Sequence, residues 1–198
     1  MTLLAVLTID LMDVQPKVHR RITVPFNIRL DRLHLVIQEA MPWTNSHLYE
    51  MQIGECGWGE PDSDNDYDGP MSAKTATLAE ALTDAGRRTF SYIYDFGDGW
   101  EHKVKLVKTA PAILGLPRIQ LIEAIGRCPP EDSGGPWGYI EKLRILEDPS
   151  DEEYADVLEW MGEDYDPKIV NLPAIEIGLA DLDGRWAPRK RKPPKPPS

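Results

Sequence analysis

The pattern of apolar and polar positions predicts two strands followed by a helix at the start of the chain. The segments LLAVLTIDL and KVHRRITVP are rich in β-branched residues, and the intervening MDVQP contains Pro16, which breaks an extended run. In LDRLHLVIQEAMPW the apolar side chains recur with helical spacing, at Leu33, Val36, Ile37, Ala40 and Met41. Asp31 is the predicted N-cap of this helix, and Pro42 marks its predicted end.

The later segments add strands and helices in an order that is typical of an α+β fold. SHLYEMQIG predicts a strand, RIQLIEAIGR predicts a strand or an irregular segment, and the Gly-, Asp- and Pro-rich residues 54–76 predict a long loop. Helices are predicted at about 77–84, in GGPWGYIEKLRILED and in SDEEYADVLEWMG, the last with a capping box from Ser150 to Glu153. We therefore predict a mixed or antiparallel sheet with hairpins packed against amphipathic helices.

The segment FSYIYDFGDGWEHKVKL predicts a β-hairpin whose register decides which side chains share a face. A three-residue loop over 97–99 pairs Phe96 with Trp100 and Tyr94 with His102. This register places the aromatic side chains together on one face, whereas a slip by one residue would mix the two faces. The aromatic residues are therefore predicted to belong to the core.

The other edge of the same hairpin is acidic, because Asp95 is predicted to lie opposite Glu101 with Asp98 at the tip. Like charges directly opposed destabilise a strand pair, so a cation or a basic partner is one explanation for them, and solvation is another. We take Asp95, Asp98, Glu101 and the neighbouring His102 as candidate binding residues. A packed core histidine is the alternative for His102.

The charge of the chain is distributed unevenly. The formal net charge is −11, from 22 basic and 33 acidic side chains; six of the basic ones lie in 185–198, so residues 1–184 keep 16 and carry a net charge of −17. Such an acidic body repels phosphate groups, which argues against binding of nucleic acid by residues 1–184. The Pro-rich basic segment 185–198 predicts a disordered tail that could contact nucleic acid or an acidic partner. We expect one domain over 1–184 followed by this tail.

Several features indicate a cytoplasmic protein. The N-terminal MTLLAVLTIDLMDV has no basic leading segment, and Asp10 and Asp13 interrupt its apolar run, so it predicts neither a signal peptide nor a membrane span. The two cysteines, Cys56 and Cys128, do not make a disulfide framework. The sequence requires no cofactor, and the expected partner is a protein rather than a membrane.

The acidic segment DNDYDGPMSAKT resembles the opening of a calcium-binding loop. Asp64, Asp66 and Asp68 occupy the first three carboxylate positions, and Gly69 stands at the turn. Thr75 stands where a bidentate Glu is expected, so any calcium site here would be weak, and a solvated surface loop is the alternative.

The segment CPPEDSGGPWGY combines Cys128, Glu131 and Asp132 with two glycines that precede a predicted helix. Free N–H groups at the helix start could cradle an anion, although the two carboxylates oppose this. The alternative is a rigid loop that docks Trp137 and Tyr139 into the core.

In this order, RRI, AMPWTNSHLYEMQIG, YIYDFGDGWEHKV and CPPEDSGGPWGY resemble the plasmid pRiA4b ORF-3-like family over about residues 3–170. The resemblance implies a small α+β domain, and some members carry a TnpR-type resolvase label or occur with mobile elements. Members commonly have a Cys where this chain has Ser133 and a His where it has Tyr49. If those atoms are zinc ligands in relatives, Cys128, His47 and His102 would not complete a four-ligand site here.

The sequence does not support resolvase activity, because it shows no nucleophile placed near arginines that could neutralise the scissile phosphate. The N-terminal strand has no Ser and no Arg before Arg20, and Arg20 and Arg21 point to opposite faces of their strand. The sequence favours a non-enzymatic binding or accessory domain, associated with plasmids or transposons. The alternative is a metal-dependent, hydrolase-like enzyme that uses the acidic edge of the hairpin at 94–102.

Overall fold

The computed structural model describes residues 2–61 and 69–187. The strands of the described residues are β1 (Leu3–Leu11), β2 (His19–Pro25), β3 (Tyr49–Ile53), β4 (Cys56–Gly59), β5 (Met71–Ser72), β6 (Thr89–Tyr94), β7 (Trp100–Pro111) and β8 (Gln120–Ile125). The helices are α1 (Leu30–Ala40), α2 (Leu78–Ala85), α3 (Gly135–Leu146), α4 (Tyr154–Met161) and α5 (Leu172–Arg185).

All eight strands form one sheet in the order β5-β4-β3-β6-β7-β1-β2-β8. Neighbouring strands are antiparallel except for β4 and β5, which are parallel, so the sheet is mixed. Helix α1 packs against α5, which also contacts β8. The predicted α+β class, with hairpins against amphipathic helices, is confirmed.

The core forms where one face of the sheet meets α1. Alternate residues of β1, including Leu7 and Ile9, are fully buried, as the period of two in a strand requires. On α1, Leu33 and Ile37 are buried at the predicted helical spacing and join the same cluster. Burial of each such side chain contributes about 1.5–3 kcal/mol relative to full exposure.

The hairpin β6–β7 keeps the predicted faces but not the predicted loop. Tyr94 pairs with Trp100 and Tyr92 with His102, so the register is shifted by two residues and the loop has five residues, 95–99. Because the shift is even, Tyr92, Tyr94 and Trp100 stay buried on one face. The prediction that Phe96 belongs to the core is wrong, because Phe96 lies in the loop and is 54% exposed. The loop is longer than predicted because Asp95 leaves the strand. The predicted pairing of Asp95 with Glu101 is therefore wrong, and Glu101 pairs with Ile93.

Some local predictions were wrong. Asp31 lies inside α1 and pairs with Arg29 instead of capping the helix. The capping box at Ser150 is absent, because that hydroxyl donates to Asp148. Trp137 is 86% exposed, although Tyr139 is buried as expected.

Two parts of the topology were not predicted. Strands β4 and β5 lie within the range predicted as a long loop, 54–76. Helix α5 was not predicted, and its regular stripe is short: Ile175, Leu179 and Leu182 are its buried residues. In the parts of the chain that the structure describes, no helix combines the length and the apolar character that crossing a membrane requires.

Candidate functional site

Three side chains from separate loops converge at one end of the sheet. His47 lies between α1 and β3, Asp95 begins the loop between β6 and β7, and Asp132 lies between β8 and α3. His47 Nε2 is 3.1 Å from Asp132 Oδ1 and 3.6 Å from Asp95 Oδ2. One potential ligand atom of each residue lies within 4.8 Å of the other two, and this is the one such group in residues 2–61 and 69–187. We call it the HDD cluster.

The HDD cluster is buried on one side and open on the other. The Nε2 atom of His47 is buried and has no hydrogen-bond partner among the described residues, because neither carboxylate offers suitable geometry. Asp95 is only 8% exposed, whereas the side chain of Asp132 is 74% exposed. The cluster therefore presents a fixed carboxylate and an imidazole to a ligand that enters from the side of Asp132.

Local backbone geometry aims Asp95 at His47. Asp95 has φ 57°, a left-handed conformation that Asp tolerates better than most residues. Its Oδ1 accepts the backbone N–H groups of Gly97 (2.9 Å) and Asp98 (3.3 Å), which leaves Oδ2 to face His47. The backbone N–H of Asp95 donates to Leu48 O at 2.9 Å, so the hairpin is tied to the segment that carries His47.

The loop that carries Asp132 is attached to the tip of the same hairpin. Gly134 N donates to Asp98 Oδ2 at 3.1 Å. Gly135 has φ 69°, and a Cβ at this position would lie 2.3 Å from Asp98 O. Only glycine permits this approach, which explains one of the two glycines in the motif. Asp98 thus supports the HDD cluster without belonging to it.

A hydrogen-bond network around Tyr94 joins the loop that carries His47 to the loop that carries Asp132. The Tyr94 hydroxyl donates to Glu131 Oε1 and accepts the backbone N–H groups of Ser46 (2.9 Å) and His47 (3.3 Å). The second oxygen of Glu131 accepts the backbone N–H of Thr44 at 2.9 Å. The backbone of His47 is thereby positioned by a buried tyrosine and a carboxylate.

The protonation states of this network are fixed near neutral pH. Burial acts to raise the pKa of Glu131, but hydrogen bonds from Thr44 and Tyr94 outweigh it and hold the pKa below its usual value. Burial, together with the bond to Glu131, raises the pKa of Tyr94. Glu131 is therefore an acceptor and Tyr94 a donor, and neither is available as a general acid or base at neutral pH.

The remaining candidate residues lie away from the HDD cluster. Glu101 is exposed on the sheet face opposite to His102. His102 is fully buried, and its Nδ1 donates to the carbonyl oxygens of Tyr92 (3.2 Å) and Trp100 (3.1 Å). Cys128 is buried, and burial raises the pKa of its thiol, which stays protonated. The structure therefore brings together Asp95 and Asp132, but not Glu101, His102 or Cys128.

Two buried histidines are part of the core. Burial lowers the pKa of His102 to about 4. Burial also lowers the pKa of His34 to about 4, although its bond to Asn45 Oδ1 acts in the opposite direction. His34 stacks on Tyr49 with ring centroids 3.6 Å apart. Both rings are neutral at neutral pH, as a buried imidazole without a carboxylate partner requires.

His47 is the member of the HDD cluster that the sequence identified least well. It was considered only as part of an incomplete zinc set with Cys128 and His102. The signal was its place in the motif AMPWTNSHLYEMQIG, just before β3. The calcium-loop prediction at Asp64, Asp66 and Asp68 lies outside the described residues and stays a prediction.

Ser133 and Tyr49, where the resemblance implies Cys and His in family members, both have structural contacts. The Ser133 hydroxyl is buried and donates to Pro130 O. Tyr49 is buried against His34. Neither position belongs to the HDD cluster.

Comparison with known proteins supports a shared fold over nearly the whole chain. The family model described as plasmid pRiA4b ORF-3-like protein matches residues 4–174. A curated relative from Sinorhizobium fredii (strain NBRC 101917 / NGR234), described as uncharacterized protein y4hQ, is 48% identical over 187 residues, covering 94% of this chain and 95% of its own.

A solved structure has the same architecture. The crystal structure of a protein of unknown function, MM3350 from Methanosarcina mazei Go1, matches with a TM-score of 0.79 and 33% sequence identity. The match covers 87% of this chain and 97% of that chain. The names of these relatives give no activity, so the chemistry of the site has to be argued from this chain.

Proposed function

Because the chain belongs to the plasmid pRiA4b ORF-3-like family, and the names of its relatives state no activity, we propose a function that rests on the geometry of the HDD cluster. The protein is a non-enzymatic binding or accessory module that holds one divalent transition-metal cation at His47, Asp95 and Asp132. The family description supports an association with plasmids, and an association with transposons is part of the proposal. The two cysteines of the protein, Cys56 and Cys128, are free thiols, which supports a location in the reducing cytoplasm.

The observation that carries this proposal is the geometry around His47 Nε2. Metal–nitrogen and metal–oxygen bonds to Zn²⁺ are about 2.0–2.2 Å, so ligands at tetrahedral or octahedral angles lie roughly 3.0–3.5 Å apart. The Nε2 atom is 3.1 Å from Asp132 and 3.6 Å from Asp95, and it is buried without a hydrogen bond to any described residue. A cation between the three atoms would satisfy the imidazole nitrogen and neutralise two carboxylates.

The surroundings of the cluster support the same assignment. Metal-ligating carboxylates are typically oriented by further hydrogen bonds. The Oδ1 of Asp95 accepts two backbone N–H groups, and its Oδ2 is thereby kept for a ligand. One imidazole and two carboxylates suit Zn²⁺ or Mn²⁺ better than a purely oxygen-liganded cation such as Ca²⁺.

The absence of catalytic groups in the described neighbourhood favours binding over catalysis. The Ser133 hydroxyl donates to a backbone carbonyl, and the thiol of Cys128 is buried and protonated. Tyr94 and Glu131 are committed to each other. None of these groups forms the nucleophile and base pair that covalent catalysis requires.

The test is metal content after treatment with chelator and reloading. We expect the full chain to bind one Zn²⁺ or Mn²⁺, measured by elemental analysis and calorimetry, and expect His47→Ala and Asp132→Ala to abolish binding. Glu101→Ala is the matched control, since it removes an exposed carboxylate of the same hairpin outside the HDD cluster. Absence of stoichiometric metal, or equal binding by all variants, would refute the proposal.

One observation favours the alternative of a metal-dependent hydrolase. Three protein ligands leave coordination positions for water, which is the arrangement of catalytic rather than structural metals. Hydrolysis of an activated phosphodiester or ester that requires Mn²⁺ or Zn²⁺ would support it, provided that Asp132→Asn abolishes the activity and Glu101→Gln retains it.

A further inference from the structure

A cavity lies between β2, the loop after β8 and the start of α5. It has a volume of about 350 Å³. Its polar and aromatic lining includes Arg20, Trp43, Arg127, Cys128, Tyr165 and Asn171. We call it the Arg20 cavity. A space of this size is at the lower end of the range for small-molecule sites.

Arg20 is a buried cation that pairs with no carboxylate of the described residues, 2–61 and 69–187. It is 1% exposed, its Nε donates to Ala40 O at 2.7 Å, and its Nη1 donates to the carbonyl oxygens of His19, Ile125 and Gly126 at 2.8, 2.9 and 3.0 Å. Its other terminal nitrogen, Nη2, donates to no described residue. A buried charge that is paired only with carbonyl dipoles is costly, and an anion would relieve that cost.

Other features of the Arg20 cavity also favour negative charge. The guanidinium of Arg127 lies 4.4 Å from the ring centroid of Tyr165, and both side chains line the cavity. Glu131 also lines the cavity, but its two oxygens are already held by Tyr94 and by residues of the loop after α1.

Two guanidinium groups around one cavity are unexpected in a body whose net charge is −17, the value left when the six basic residues of 185–198 are set aside. The planar fork of a guanidinium matches the geometry of a carboxylate. Apolar side chains complete the lining, among them Met41, Met161 and Ile175. The cavity therefore combines a cationic end with apolar walls, the complement of an organic acid.

We propose that the Arg20 cavity binds a small organic monocarboxylate, with its carboxylate at Arg20 Nη2 and its hydrocarbon part against Tyr165 and Val170, which are partly exposed members of the lining. This site is separate from the HDD cluster and does not need a metal. The two sites share the loop that carries Glu131 and Asp132 and the loop between α1 and β3, which carries Trp43 and His47.

The test is calorimetric titration of the full chain, in the presence of EDTA, with hexanoate and benzoate. Hexylamine and benzylamine are matched probes without the carboxylate, and inorganic phosphate tests for a general anion site. We expect the acids alone to bind and expect Arg127→Met to weaken them about tenfold, because the variant removes one of the two positive charges that line the cavity. Binding of the amines, or tighter binding of phosphate, would overturn the proposal.

Arg20→Lys is the direct variant, but it also removes structural hydrogen bonds, so a second variant keeps the test decisive. Ala174→Trp fills the mouth of the cavity from an exposed position on α5 and is expected to abolish binding in a folded chain. Arg185→Met removes an exposed arginine from the other end of α5 and should leave binding unchanged. Retention of carboxylate binding by both Ala174→Trp and Arg127→Met would refute the assignment.

Discussion

The two buried histidines predict a steep loss of stability in mild acid. His34 and His102 are neutral in the folded state, each with a pKa lowered by burial from 6.5 to about 4. Above pH 6.5 both states of the protein carry neutral imidazoles. As the pH falls from 6.5 to 4, the two imidazoles bind protons in the unfolded chain but stay neutral in the folded chain. The free energy of unfolding therefore decreases.

The size of the effect follows from the shifts. One pKa unit corresponds to about 1.4 kcal/mol, so each histidine is expected to remove about 2 to 3 kcal/mol of stability between pH 7.5 and 4.5. Together they account for about 5 kcal/mol, a large part of the total for a typical domain, which is about 5–15 kcal/mol.

The assay is urea unfolding followed by circular dichroism at several pH values between 7.5 and 4.5. His102→Asn removes one titrating ring but keeps an N–H donor for the carbonyl oxygens of Tyr92 and Trp100. Carboxylates titrate alike in both proteins, so the variant is expected to lose about 2 to 3 kcal/mol less than the wild type across this range. Parallel profiles for the two proteins would show that His102 is not held neutral by burial.

Two further predictions concern the support of the HDD cluster. Gly135→Ala is expected to lower the free energy of unfolding by about 1–3 kcal/mol in chemical denaturation, because the φ of 69° and the close approach of Asp98 O exclude a Cβ. Gly184→Ala is the control: a Cβ there would meet nothing within 4 Å, so the free energy of unfolding should be unchanged or higher. Tyr94→Phe is expected to lower the free energy of unfolding by about 1–3 kcal/mol and to weaken metal binding, because Glu131 and the backbone N–H of His47 both lose their hydrogen bond to the Tyr94 hydroxyl. Unchanged stability and metal affinity would contradict this role.

The sequence predicted the parts of the fold that depend on local periodicity. The segment LLAVLTIDL and the apolar stripe on α1 follow the periods of two and 3.6 that strands and helices impose, and both elements are present. Helix α5 lacked a comparable signal, since Gly178 and Gly184 interrupt it and much of its surface is exposed. Its position depends on tertiary contacts with α1 and β8.

The candidate site was predictable only in part. The sequence offered Asp95 and Asp132 as candidate binding residues in two separate segments, but their proximity depends on how separate loops pack. The predicted register of the hairpin was wrong by two residues. The carboxylate of Asp95 accepts a hydrogen bond from the backbone of its own loop, so Asp95 lies outside the strand and faces His47. Such local competition between side chain and backbone is not visible in the alternation of apolar and polar residues.

The most direct test of the proposed metal site is anomalous diffraction from a crystal soaked in Mn²⁺ or Zn²⁺, recorded on both sides of the absorption edge of the metal. We expect one strong peak between His47 Nε2 and the carboxylates of Asp95 and Asp132, about 2.0–2.2 Å from the imidazole nitrogen. A peak at another group of residues, with no density at these three side chains, would contradict the assignment of a cation to the HDD cluster.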